Sequence, residues 1–137
     1  MKTLKKKVIA AIIMQGDKIL IAQRKKQDEL YGKWEFPGGK MEESETDEQC
    51  LKRELYEEFG INAQIGEYFC TSSFFHKKIA MDMLVYYVPS FTGEITLYDH
   101  QQIKWVNTNE LLGYDFPEPD KPVIEQLLKR RILDDCK

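Results

Sequence analysis

Long apolar runs are scarce in this chain, and charge of one sign never dominates it. The apolar stretch at residues 8–14 stops at Gln15-Gly16-Asp17, and although basic residues precede it, it is too short for a membrane span and wrongly flanked for a signal peptide. A strand and a turn are the expectation, with no membrane and a cytoplasmic location by default. Cysteine is sparse: Cys50, Cys70 and Cys136 are widely spaced, form no CxxC pair and are odd in number, which predicts reduced thiols and argues against zinc. The net charge is only −3 and the pI is near 5.5. Lys5-Lys6-Lys7 and Lys129-Arg130-Arg131 are basic clusters without interleaved aromatics, so long nucleic acid is not the expected partner. Internal repeats, low-complexity tracts and linkers are missing too. What remains is 137 residues, 42% of them hydrophobic, enough for one domain spanning 1–137 with a buried core.

The chain is rich in β-prone segments. Residues 8–14 and 18–23 read as a hairpin about a Gly-Asp turn, 34–36 as a short strand, 64–75 and 79–88 as β-rich segments either side of His76-Lys77-Lys78, and 103–106 as a further strand. Residues 108–112 resemble a capped helical turn, and 122–133 form a final amphipathic helix. The order is α+β.

One helix stands out. Thr46 followed three residues later by Gln49 is a capping box, Asp47 and Glu48 suit the positive end of the helix dipole, and Gly60 sits where a helix ends. Leu51, Leu55 and Phe59 recur at i, i+4 and i+8, giving an apolar stripe for packing. Beside it Glu54, Glu57 and Glu58, related as i, i+3 and i+4, project from a common face. In water such like-charge pairs cost about a few tenths of a kcal/mol each; a hard divalent cation with oxygen ligands reverses the sign. Mg²⁺ or Mn²⁺ is the expected occupant. Upstream, Glu35-Phe36-Pro37-Gly38-Gly39 ends a strand in a turn whose glycines permit close approach.

Written as a pattern, the segment is Gly39, five residues, Glu45, seven residues, Arg53-Glu54-Leu55, one residue, Glu57-Glu58, one residue, Gly60-Ile61. It resembles a complete Nudix box, and nine specified positions at fixed spacing are far more specific than a Gly-rich loop. A solvated acidic helix would leave Arg53 and the flanking glycines without a role. The flanks, 33–40 and 115–124, are similar to the MutT-like branch, which includes oxidised-dGTP hydrolases; 61–89 is similar to bacterial CTP pyrophosphohydrolases. The resemblance implies a Nudix fold, a mixed β-sheet flanked by helices. It also implies cleavage of an NTP or dNTP to monophosphate and pyrophosphate, with water attacking the β-phosphorus in the MutT case.

Site roles come with the same resemblance. Glu57 and Glu58 would be the core metal ligands, with Gly38 contributing a carbonyl and Glu54 acting as ligand or general base. Glu45, Gly39 and Gly60 would shape the motif. Arg53, always charged, is a poor base, and its fork suits orienting Glu45 or a neighbouring carboxylate. Asp99, six residues before Trp105, is the candidate further ligand, against the alternative of a polar turn. His100 is the alternative base or a surface residue, and His76 is expected to face solvent. On the substrate side stand Arg24, Phe36, Gly39, Lys40 and Asp120. Arg24 would contact phosphates or be solvated, and Phe36, Phe75 and Phe116 would stack a base or fill the core. Asp120 replaces the Asn by which the MutT motif reads a purine; it would either accept N–H groups of a cytosine or guanine edge or cap the last helix.

Three functions stay open: a nucleoside triphosphate pyrophosphohydrolase acting on oxidised dGTP or on CTP and dCTP, a Nudix hydrolase of another nucleoside diphosphate derivative, and a non-catalytic nucleotide-binding module. The last is expected to lose box glutamates, and none is lost. Monomer and homodimer are both compatible, as are pool sanitation and nucleotide balance.

Overall fold

The computed structural model describes residues 5–135; the basic start at residues 1–4 and Cys136 lie outside them. Strand β1 (Lys6–Gln15) turns at Gly16, in a left-handed conformation with φ of 63°, into β2 (Lys18–Arg24). Then follow β3 (Trp34–Glu35), β4 (Gly38–Lys40), helix α1 (Asp47–Phe59), β5 (Asn62–Gln64), β6 (Tyr68–His76), β7 (Ile79–Val88), β8 (Ser90–Thr92), β9 (His100–Val106) and α2 (Lys121–Asp135). The main sheet has seven strands. It runs β3-β2-β1-β7-β6, with β4 also on β1 and β9 also on β2. The β1–β7 pair is parallel and the others antiparallel. A separate ribbon joins β5 to β8.

Alternation along β1 explains the layers. Ile9, Ala11 and Ile13 pack with Leu51, Leu55 and Phe59 of α1, while Ala10 and Ile12 belong to the opposite core with Phe116, Val123, Ile124 and Leu127. A strand covered on both faces must be apolar at successive positions, as β1 is from Val8 to Met14 between its exposed polar ends. The mixed sheet flanked by helices agrees with the expected α+β Nudix fold.

The β-rich segment 64–75 is divided: the chain breaks between β5 and β6 at Ile65-Gly66-Glu67, where the Gly66 N–H donates to Tyr87 O at 2.7 Å. Gly38 and Gly39 do not form a turn; they lie in β4, opposite Ala10 and Ile9. The expected capped turn at 108–112 is present as the 3₁₀ turn Thr108–Gly113, capped by Asn107, whose N–H donates to Glu110.

Candidate active site

Helix α1 begins and ends as its local signals dictate. Gln49 N donates to the Thr46 hydroxyl at 3.1 Å and the Gln49 side chain accepts from Thr46 N at 2.9 Å; Gly60 closes the helix with φ of 70°. The three helix carboxylates then differ sharply in environment. Glu57 is 55% exposed in its side chain, whereas Glu58 is only 6% exposed.

Arg53 binds the helix to the preceding loop. Its Nε and Nη2 grip Glu45 at 2.7 and 3.0 Å, Nη1 donates to Glu54 at 2.8 Å and Glu57 at 3.3 Å, and Nη2 also reaches Lys40 O at 3.1 Å. Those hydrogen bonds hold Glu45 down to about 2. A planar fork serves several acceptors at fixed angles, which a lysine would not do. Burial raises Glu54, with Arg53 pulling the other way. A Cβ on Gly39 would collide with the Glu54 carboxylate, and one on Gly38 with the Ile9 carbonyl of the paired strand. Close approach, rather than turning, is what these two glycines allow.

Glu58 points into a cleft with partners that local patterns had not suggested. His100 is no surface residue: it is 4% exposed. Its Nε2 lies 2.8 Å from Glu35 Oε2 and 3.9 Å from Glu58 Oε1, while its ring stacks on Phe59 with centroids 5.4 Å apart. Among the described residues, Glu35, Glu58 and His100 are the group whose ligand atoms fall within 4.8 Å of one another. Glu54 and Glu57 do not join that cluster, being turned to Arg53. Burial, with the charge of Glu35 next, pushes Glu58 up to about 9, and the Gly38 N–H acts against the rise. Glu58 Oε2 and His100 Nδ1 are buried without a hydrogen-bond partner. A partnerless carboxylate oxygen on Glu58, grouped with Glu35 and His100, fits a hard cation with oxygen and imidazole ligands.

The cleft has two adjoining lobes that share Arg24, Lys26, Glu35 and Glu58. One, of about 530 Å³, contains Asp99 and His100; the other, of about 850 Å³, contains Phe36, Gly38, Gly39, Lys40, Phe116 and Asp120. Arg24 is not simply solvated: its Nη1 and Nη2 are each 3.0 Å from Glu35 and Asp28. Phe36 and Phe116 are buried against each other at 5.2 Å, but Phe75 is 78% exposed, contrary to a core role. The helix-cap reading of Asp120 is also corrected. Its side chain is 5% exposed, and among the described residues no N–H donates to its carboxyl. Burial, reinforced by Glu35, raises its proton affinity well above the ordinary Asp value.

A stability consequence follows from Glu58. Its folded-state pKa lies above the unfolded one, so its stabilising contribution is complete below about 4.5 and is lost as pH rises towards 9. With EDTA present, Glu58→Gln should therefore match the wild-type Tm near pH 5 and exceed it by about 5 °C near pH 8. A thermal melt at both values checks this; a pH-independent difference would contradict it.

Known proteins place this geometry. The chain is 39% identical over 124 residues to a CTP pyrophosphohydrolase of Escherichia coli K12, covering 90% of this chain and 92% of that one. It is 33% identical over 119 residues to an 8-oxo-dGTP diphosphatase of the same strain, covering 87% and 92%. In solved structures it superposes on the E. coli ORF135 protein with a TM-score of 0.86 at 38% identity, over 93% of this chain and 91% of that one. The family model for the NUDIX domain matches residues 8–126, and with these relatives the chain belongs to the Nudix family and is a Nudix hydrolase.

Proposed function

We propose that the chain is a single-domain, Mg²⁺- or Mn²⁺-dependent nucleoside triphosphate pyrophosphohydrolase that prefers CTP or dCTP. The observation that carries this reading is the buried Asp120 carboxyl in the same cleft as Glu58. A protonated carboxylic acid donates through O–H and accepts through C=O, matching the ring nitrogen and amino group of cytosine. An ionised carboxylate accepts only, which suits the N1–H and 2-amino edge of guanine. The raised proton affinity of Asp120 favours the first match. Oxidised dGTP is the second reading, supported by the identity to an 8-oxo-dGTP diphosphatase.

Metal would be held by Glu58 with Glu35 and His100, joined by Glu54, Glu57, the Gly38 carbonyl and Asp99. When bound, it neutralises the polyphosphate and polarises the attacking water. Arg53 holds Glu45, Glu54 and Glu57 in one orientation. Glu54 Oε1 is engaged by Arg53, so Oε2 serves as proton acceptor, and burial raises its basicity. Phe36 and Phe116 wall the base, while Lys40 contacts the substrate from the exposed edge. Among the described residues no helix is long and apolar enough to cross a membrane.

The test is a substrate panel with phosphate-product analysis, run with Mg²⁺ and with EDTA. CTP or dCTP should be hydrolysed best and only with metal. Preference for a sugar-linked nucleoside diphosphate would overturn the reading.

A further inference from the structure

The 530 Å³ lobe differs in kind from the rest of the cleft: every residue lining it, Arg24, Lys25, Lys26, Glu35, Glu58, Asp99 and His100, is ionisable. A base finds no apolar wall there. A chain of phosphates with its cations finds an acidic floor and a basic rim, and the rim is built with care.

The β2–β9 register shifts between Gln23 and Arg24, and such a bulge re-aims the side chains that follow it. Arg24 N donates to Lys33 O at 2.9 Å and Gly32 N returns to Arg24 O at 3.1 Å, closing the loop at its base. Inside the loop Asp28 accepts from Leu30 N at 2.9 Å and from Arg24 at 3.0 Å. Gln23 and Gln101 fasten Gly32 O and Arg24 O from either side, at 2.9 and 2.8 Å. The two Arg24 Nη groups are thereby engaged by Glu35 and Asp28, and its Nε is buried without a hydrogen-bond partner. Lys25 and Lys26 are not: both are exposed at the lobe, and among the described residues neither forms an ion pair with a carboxylate. Two unpaired ammonium groups on a fastened loop, beside three carboxylates, form a preorganised anion grip.

We propose that Lys25 and Lys26 bind the distal phosphates of the substrate and set a preference for a three-phosphate chain. The base end of the cleft, at Asp120, Phe36 and Phe116, lies in the other lobe; Lys25 lines only the ionisable one, and Glu58, with Arg24, Lys26 and Glu35, is common to both. The nucleotide thus runs from Asp120 across Glu58 to the two lysines, so that the pyrophosphate formed by water attack on the β-phosphorus is released on the lysine side and the nucleoside monophosphate, the leaving group, on the Asp120 side. Arg24 acts only as a positioning residue for the loop. The proposal rests on the pyrophosphohydrolase reading above, yet its test does not depend on turnover.

The test compares the wild type with Lys25→Ala/Lys26→Ala and Lys25→Arg/Lys26→Arg, using calorimetric binding of inorganic tripolyphosphate and of CMP with Mg²⁺ present. The double alanine variant should bind tripolyphosphate about tenfold more weakly and CMP unchanged. The double arginine variant should keep wild-type affinity, and KM for CTP should rise in the alanine variant with little change in kcat. Undetectable tripolyphosphate binding by the wild type, or equal binding by wild type and alanine variant, overturns the proposal. A wild type that binds tripolyphosphate through the lysines yet cleaves no nucleoside triphosphate leaves the grip standing and overturns the functional reading instead.

Discussion

Glu54→Gln should lower kcat for a nucleoside triphosphate by on the order of a hundredfold to ten-thousandfold, a larger effect than its loss of Mn²⁺ affinity. The amide keeps the shape that lies over Gly39 and still accepts from Arg53, so folding is little affected. What it loses is proton affinity. Glu57→Gln should behave differently, weakening Mn²⁺ binding and activity together, because a neutral oxygen is a poorer ligand for a hard cation. Electron paramagnetic resonance of free Mn²⁺ beside steady-state kinetics separates the two patterns. Wild-type turnover in both variants would show that the helix carboxylates are not the catalytic groups.

Asp120→Asn should change the ratio of kcat/KM for CTP over that for oxidised dGTP by on the order of tenfold near pH 8. The amide donates and accepts at every pH and is the group by which the MutT-like motif reads a purine, whereas the ionised acid only accepts. Because burial raises the proton affinity of Asp120, the wild-type ratio should itself fall as pH rises, and the variant's should not. Asp120→Ala, leaving base and pocket groups unpaired, should depress both substrates. Ratios unchanged by the amide at every pH would remove Asp120 from base recognition.

How much of this was legible in the chain depends on how local each signal is. The start and end of α1 were readable because Thr46, Gln49 and Gly60 act within a few residues of where they stand. The apolar stripe of Leu51, Leu55 and Phe59 was readable because helical period alone places it. Glu35 and His100 were not, since their contact joins residues 65 apart through β3, β2 and β9. Their signal was present but unread: Glu35 stands immediately before the Phe-Pro-Gly-Gly stretch, and His100 follows the acidic Asp99. Asp120 looked like a cap because it precedes Lys121-Pro122, a local cue that tertiary burial overrides. The break between β5 and β6 depends on Gly66 reaching Tyr87, which β-propensity cannot register.

The most direct measurement is hydrolysis of CTP in ¹⁸O-labelled water with Mg²⁺, followed by mass analysis of the first products. The account predicts CMP and pyrophosphate, with the label in pyrophosphate because water attacks the β-phosphorus, and no reaction once EDTA is added. Orthophosphate and CDP as the first products would contradict it.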